Sequence, residues 1–325
     1  MDFQDLHAFA HVAKLGSFSR AAAQLRVAQS ALSRRVARLE HRLGTTLLTR
    51  HGRGARPTEA GTVLLARAEE LTHQLGGIER DLARFSREPR GHVRVAITPT
   101  TGQMLAPPLV AECRARFPGI TLLLREGVTG YIHEWLAQGD VDLAILYDPE
   151  PSADIAITPL VEEPLYLVCP PGAQVPLSQD GSFSLRDLHE VKLVLPQRSH
   201  SIRLLLEQMA ARYGVTLDIA LEVEGMRTTK ALVQSGIGFT VFSFAGIYEE
   251  VEVGTLRGIP IKPRLSWRMS LAERRASSDS RAQIAVRQLI QAQVHTLLDR
   301  GLWRGHLIGM PSPGSGASHH VVRVQ

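Results

Sequence analysis

Residues 17–44 read SFSRAAAQLRVAQSALSRRVARLEHRLG, and their punctuation decides the fold of the N-terminal region. Ser17 offers an N-cap for a short helix from Phe18 to about Leu25, built on the helix-favouring run Ala21-Ala22-Ala23. After Arg26-Val27 a longer helix is predicted from about Ala28 to Leu43, closed by Gly44. Upstream, Leu6, Phe9, Ala10 and Ala13 recur at helical spacing and Gly16 ends that run. A supporting helix followed by two helices across a tight turn is a helix-turn-helix arrangement. In the longest of the three, Leu32, Val36, Leu39 and Leu43 form the stripe expected to be buried. Ser30, Arg34, Ala37 and His41 point the opposite way, with Ser33, Arg35 and Arg38 on the flanks. Small polar side chains and Arg near the N-terminal half are what a recognition helix shows to base edges. An amphipathic helix with a merely solvated basic face fits the same periodicity. Its position directly after the turn favours the reading helix.

Charge supports this. The 325 residues carry a formal net charge of +5, but residues 1–57 hold ten Lys/Arg against Asp2, Asp5 and Glu40, giving +7 and leaving −2 for the rest. Nine of those ten are Arg, whose flat fork suits phosphate and guanine edges. A compact basic segment on a slightly acidic body is the footprint of nucleic-acid binding. Beyond Gly44, two short extended pieces flank a Gly/Arg tip, His51-Gly52-Arg53-Gly54, and predict a β-hairpin wing. Arg50, Arg53 and Arg56 are then placed to reach backbone or minor groove.

The residues Phe9, Phe18, Ser19, Ala21, Ala22, Leu25, Gln29, Leu32, Ser33, Val36, Leu39, Glu40, Leu43, Gly44, Leu47, Leu48, Arg50, Thr58, Ala60 and Gly61 together resemble the winged helix-turn-helix of LysR-type transcriptional regulators. Two positions depart from that pattern: Ala28 stands where such proteins usually carry Ser, and Ser30 where they carry Pro. The resemblance implies that Gln29, Ser30, Ser33 and Arg34 meet bases or adjacent phosphates. It implies that Ser17, Arg35, Arg38, Arg50 and Arg53 hold the backbone of double-stranded promoter DNA. It further implies a homodimer or homotetramer and contact with RNA polymerase.

From Thr58 onward, Leu64, Ala68, Leu71, Leu75, Ile78, Leu82 and Phe85 are spaced alternately by four and three, as in a dimeric coiled coil. Leu64, Leu71, Leu75, Ile78 and Leu82 are the dimerisation candidates, with Gly76-Gly77 a weak point. The composition of Glu88-Pro89-Arg90-Gly91 reads as a hinge. The remaining chain alternates strand and helix. Strand 92–97, a helix to about Phe117, strand 120–124, helix 131–138 and strand 141–147 give a βαβαβ rhythm and a parallel sheet. A second lobe is expected from about Pro164. It has strands at 165–168, 192–195, 216–223 and 238–242, and helices at 201–213 and 226–234. Strand 265–272 and helix 280–298 return to the first lobe by resemblance alone.

The expected fold class is therefore α/β with an N-terminal all-α winged helix-turn-helix and a two-lobed, periplasmic-binding-protein-like effector domain. The expected boundaries are 1–58 for the DNA-binding domain and 59–88 for the linker helix. The effector domain takes 89–304, divided into 89–163 plus 265–304 and 164–264, and 305–325 form a disordered tail. In such folds a small molecule sits where strand ends and helix starts converge. Thr98, Thr100, Thr101, Gln197, Ser199, His200 and Thr228 lie on loops that meet that description, and hydroxyls plus free N–H groups suit a carboxylate or another small anion. Ordinary N-capping explains any single one of them equally well. Leu146-Tyr147-Asp148, residues 159–168 and Leu195-Pro196 also resemble the nitrogen assimilation control branch of the family.

Other chemistry is poorly supported. His7 and His11 have metal-capable spacing but no Glu or Cys partner nearby, and Cys113 and Cys169 lack CxxC spacing, so no metal is expected. Ser199-His200 has no G-x-S-x-G elbow, and Gly236-Ile237-Gly238 lacks the third Gly of a nucleotide loop; neither an enzyme nor a cofactor is expected. No stretch reaches the ~20 apolar residues of a membrane span. The start MDFQDLHAFA lacks a signal peptide's basic region, so a cytoplasmic location is expected. A solute-binding protein or a cleft enzyme of the same two-lobe fold are the rival readings.

Overall fold

The computed structural model describes residues 2–51, 54–83, 88–198, 200–275 and 280–308. The side chains of 50 and 72–83 also fall outside the description. The chain divides into two compact units, 1–82 and 83–325.

In the first unit, α1 (Phe3–Leu15) starts at Asp2, whose carboxylate accepts from the Gln4 N–H, and stops at Gly16 with φ 63°. Helix α2 (Phe18–Leu25) is capped by Ser17 Oγ accepting from the Arg20 N–H, and ends at Arg26 in a left-handed conformation. Helix α3 (Gln29–Leu43) has no side-chain cap at Ala28. The wing is an antiparallel pair, β1 (Leu48–His51) and β2 (Gly54–Pro57), and α4 (Glu59–Ala83) follows, running through Gly76-Gly77. Phe9, Val12, Ala21, Leu32, Val36 and Leu39 interlock with Leu47, Leu48 and Ala55 of the wing in one core. Leu43, expected in the buried stripe, is 42% exposed, because the core ends one turn earlier. Leu64, expected at a dimer seam, is half-buried and packs, with Ala68 of the same helix, against Leu6 and Ala10 of its own unit's α1. The first heptad of the stripe thus closes the head onto itself. Leu71 is exposed, while the side chains of Leu75, Ile78, Leu82 and Phe85 lie outside the described residues.

In the second unit the elements are β3 (Gly91–Ile97), α5 (Pro99–Arg116), β4 (Ile120–Glu126), α6 (Thr129–Gln138), β5 (Leu143–Tyr147), β6 (Ile155–Cys169), β7 (Phe183–Ser184), a 3-10 turn Leu185–Glu190, β8 (Lys192–Leu195), α7 (Ser201–Tyr213), β9 (Asp218–Glu222), α8 (Met226–Gln234), β10 (Thr240–Ser243), α9 (Phe244–Val253), β11 (Arg257–Lys262), β12 (Ser266–Arg274), α10 (Arg281–Asp299) and β13 (His306–Leu307). The large sheet runs β4-β3-β5-β12-β6-β11-β7, with β10 and β13 also on β6. Strands β3, β4 and β5 are parallel and β12 joins β5 antiparallel.

Two long strands tie the halves together. The first part of β6 pairs with β12, and its last part with β10 and β11. Its opening stretch, residues 155–164, is a strand that hydrophobic alternation had not revealed, since Pro159 and Pro164 interrupt it. A register shift between Met269 and Ser270 accommodates Pro159. Helix α9 and strand β11 were likewise not expected. The tail expectation needs correcting at its start: β13 pairs with Glu162 and Val161, and the Ile308 N–H donates to the Leu160 carbonyl. Residues 309–325 lie outside the described residues. Helix α10 packs on α5 and β3, returning to the first half of the unit. Its start carries a capping box between Ser280 and Gln283.

Candidate DNA-reading head and effector cleft

The head is built to fix α3 and leave its outer face open. Asp5 on α1 is almost fully buried and takes a two-pronged grip from Arg38, Nε to Oδ2 at 3.0 Å and Nη2 to Oδ1 at 2.5 Å. Arg38's hydrogen bonds hold the Asp5 carboxyl below its ordinary range against the opposing effect of burial. Arg35 Nη1 donates to Gln4 Oε1 at 2.7 Å, and Gln29 Oε1 accepts from Ser19 Oγ at 3.1 Å. Glu40 Oε1 accepts the N–H groups of Leu47 and Leu48, tying α3 to the wing.

Gln29, Ser30, Arg34, Ala37 and His41 are exposed along α3, while Ser33 and Arg35 are half-buried. Arg34 makes no ion pair or hydrogen bond among the described residues, so its guanidinium is uncommitted. Arg38, assigned to the DNA backbone by sequence, has a structural partner in Asp5 that sequence spacing could not disclose. Ser17 Oγ is occupied by its capping bond. The side chain of Arg50, and Arg53 entirely, lie outside the described residues. Because the Asp5 carboxyl is lowered, its contribution to stability is complete above its unfolded value of 3.8 and disappears as pH falls through the lower folded value. Asp5→Asn should therefore lose stability relative to the parent at pH 6, with the gap narrowing as pH falls below 3.8; paired acid-unfolding curves measure it.

The second unit holds a cleft of about 710 Å³, its open mouth included. The starts of α5, α6, α7 and α8 converge on it, with Thr98, Thr129, His200 and Gly225 among its walls. Its floor is the Tyr147–Trp267 pair, stacked with centroids 3.9 Å apart and planes at 18°. Val128, Ile202, Val223, Met226, Val241 and Phe242 make the walls largely apolar. His200 caps α7, its Nδ1 accepting from the Ile202 N–H at 3.2 Å. Burial pushes its pKa down against the pull of Glu224, which favours the neutral imidazole. Glu224 is the only acidic residue lining the cleft, and Lys and Arg are absent from that lining among the described residues.

Of the seven effector candidates, Thr98, Thr100 and His200 line the cleft. Thr101 does not. It is turned one helical step inward, where its hydroxyl bonds Thr98 at 3.0 Å and reaches Tyr147 at 3.5 Å. Gln197 is exposed; its N–H donates to Glu224 Oε1 and its carbonyl accepts from the His200 N–H, while its side chain does not line the cleft. Thr228 faces solvent, and its neighbour Thr229 occupies the wall instead. Ser199 lies outside the described residues. Tyr147, Trp267 and Phe242 were not singled out as cleft residues, whereas Met226 belongs to the start of α8 that the sequence pointed to. An aromatic at the C-terminal end of a parallel strand was the available signal for Tyr147.

A three-helix head with a wing, joined in one chain to an α/β body with a helix-lined cleft, is the architecture of a ligand-responsive transcriptional regulator. The model of the bacterial regulatory helix-turn-helix protein, lysR family, matches residues 3–62, and that of the LysR substrate binding domain matches residues 86–295. The chain belongs to the LysR family of DNA-binding transcriptional regulators, with a helix-turn-helix domain and an effector-binding domain. It is 31% identical over 308 residues to the HTH-type transcriptional regulator BbuR of Bordetella bronchiseptica, covering 94% of each. It is also 31% identical over 242 residues to the nitrogen assimilation regulatory protein nac of Escherichia coli, covering 74% of this chain and 78% of that one. Among solved structures, full-length CbnR complexed with its target DNA has a TM-score of 0.67 at 23% identity, covering 91% of this chain and 99% of that one. These relatives are regulators rather than enzymes, and no helix among the described residues is long and apolar enough to cross a membrane.

Proposed function

We propose that two copies of α3, presented by a dimer or a dimer of dimers, read a promoter site of approximate two-fold symmetry. Gln29, Ser30, Ser33 and Arg34 contact bases, and Ser17, Arg35, Arg38, Arg50 and Arg53 contact the DNA backbone. The observation that carries this reading is the uncommitted Arg34 on the exposed face of a helix whose flank is pinned by Arg38 and Asp5. The effector is a small molecule held in the cleft by Thr98, Thr100, His200 and Thr229, with a flat apolar part on the Tyr147–Trp267 floor. The free N–H groups at the helix starts suit an anionic group on the same molecule. Its binding changes how the paired heads engage DNA and hence transcription in the cytoplasm, with RNA polymerase as the downstream partner. The exposed Leu71, with Leu75, Ile78 and Leu82 beyond it, forms the pairing stripe of α4. The working boundaries are 1–58, 59–88 and an effector domain from 89 that includes β13.

Affinity selection of fragmented genomic DNA by the full chain tests the reading. A shared motif with two-fold symmetry is expected. Arg34→Ala should cost about 1–3 kcal/mol on that motif and blur the preference at one position of each half-site. Equal losses on the motif and on random DNA would remove Arg34 from the reading surface. Recovery of no DNA at low salt would overturn the assignment of α3.

A further inference from the structure

Glu163 is fully buried at the point where β6 passes from one half of the second unit to the other, directly opposite Trp267 in the β6–β12 register. The Tyr147 hydroxyl donates to its Oε1 at 2.8 Å. The groups acting on its carboxyl come from four places: Tyr147 on β5, Ser243 at the head of α9, Trp267 on β12, and Trp303 after α10. None of the four carries a positive charge, and only Tyr147 titrates, its hydroxyl pushed well above the ordinary phenol range, first by burial and then by the Glu163 charge. The titratable groups lining the cleft besides Tyr147 are His200 and Glu224, and the nearest element ends also carry the Arg304 guanidinium, which follows Trp303 and lies 3.5 Å from the Phe244 ring centroid.

The cluster is under-satisfied. Glu163 Oε2, Ser243 Oγ, Trp267 Nε1 and Trp303 Nε1 are all buried and without a hydrogen-bond partner among the described residues. An indole N–H can only donate, so Trp267 and Trp303 can be satisfied here only by an acceptor such as the free Oε2. Two hydrogen-bond arrangements are open to such a cluster. In one, Glu163 keeps its proton, takes the Tyr147 bond on Oε1 and leaves the indoles unpaired. In the other it gives its proton to water, and Oε2 draws in the Trp267, Trp303 and Ser243 donors.

We propose that Glu163 is the positioning residue of the cleft floor, switching the Tyr147–Trp267 pair between two hydrogen-bond arrangements by proton exchange, so that occupation of the cleft is linked to uptake or release of a proton. Trp267 and Tyr147 are both floor and partner, so a molecule lying on them favours one arrangement over the other. Reciprocity then makes its affinity depend on pH. Burial, opposed first by the Tyr147 hydrogen bond and then by the proximity of the Ser243, Trp303 and Trp267 donor groups, which form no hydrogen bond to it in this arrangement, pushes the Glu163 carboxyl up to about 7, which brings the exchange into the physiological range. This inference rests on the cleft being the effector site. The test is made without effector or DNA, so that the two can fail separately.

Tryptophan emission of the full, ligand-free chain is followed from pH 5.5 to 8.5. The chain has three Trp, and Trp135, stacked under Arg125, serves as a background. A sigmoidal change with a midpoint near 7 is expected in the parent and its loss in Glu163→Gln. Tyr147→Phe, which removes a donor that lowers the carboxyl's pKa, should move the midpoint upward; it keeps the test decisive if the Gln variant does not fold. A parent curve that is flat, or the same curve in a folded Glu163→Gln, overturns the proposal. A thermal-shift screen of aromatic monocarboxylates and their neutral amides, read against Thr229→Val, tests the cleft reading independently.

Discussion

Gly61→Ala is expected to disable the head while leaving the second unit folded. Gly61 lies in the first turn of α4, and a methyl group there would be driven into the Leu47 carbonyl oxygen, deep inside van der Waals contact, with the Leu47 carbonyl carbon at 3.0 Å and Pro57 Cβ at 3.4 Å. The obstacle is backbone, so no side-chain rotation relieves it. That backbone is held twice more: the Thr58 N–H donates to the same Leu47 carbonyl at 2.9 Å, and Thr58 Oγ1 donates to the Thr46 carbonyl at 2.8 Å while accepting from the Gly61 N–H. Relief requires separating α4 from the strand leading into the wing. This exposes Leu47 and Leu48 of the head core. Overpacking of this kind costs about 3 kcal/mol, a large share of what a small domain possesses. Calorimetry should show one unfolding transition lowered and the other unchanged, with DNA affinity lost. The comparison variant is Gly44→Ala, where no atom lies within 4 Å and only the left-handed φ of 64° is strained. It should cost roughly 1–2 kcal/mol.

Gly61 also marks what sequence could and could not convey. It belongs to the pattern that suggested the family, yet nothing in the sequence explains why only glycine fits; the close approach of Leu47 does. The head was legible because its signals are local. Ser17, Gly16 and Gly44 punctuate helices within a few residues of themselves, and Leu32, Val36 and Leu39 repeat along one face. The starts and stops of α7 and α8 follow from the same kind of signal. The cleft was only partly legible, because its candidates were chosen by loop position. A helix turns about 100° per residue, so a neighbour at the same loop can face the interior, as Thr101 does, or solvent, as Thr228 does. Tyr147, Glu163, Ser243, Trp267 and Trp303 escaped notice for a different reason. They span more than 150 positions of sequence and meet only because β6 and β12 cross between the halves. No spacing rule reports such a meeting. Leu64 adds a contact that the heptad spacing did not report: it is half-buried beside Leu6 and Ala10 of α1 within its own head.

Trp267→Ala should produce the largest loss in the second unit. Its ring is 4% exposed, lies flat on Tyr147, sits beside Glu163 in the strand pairing, and belongs to the main apolar cluster that also holds Leu165, Met269 and Leu271. Truncation removes the stack and leaves a cavity, which for a buried Trp costs about 3–5 kcal/mol. In a unit of this size that lowers the melting temperature by roughly 10 °C. The cavity opens beneath the cleft, so the effector loses its floor as well as its stable frame. Trp267→Phe separates the two roles of the residue. Phenylalanine restores a flat ring against Tyr147 but has no N–H, and that N–H is unpaired in the structure. Its removal forfeits no hydrogen bond, and the smaller ring should cost under about 1.5 kcal/mol. If stacking alone makes the floor, the Phe variant binds effector as the parent does at every pH. If the indole N–H is a partner of the ionised Glu163, the Phe variant titrates at a higher pH than the parent, because one donor that favours the carboxylate is gone. The two variants therefore distinguish a floor that merely supports a ligand from one that reports its arrival through a proton.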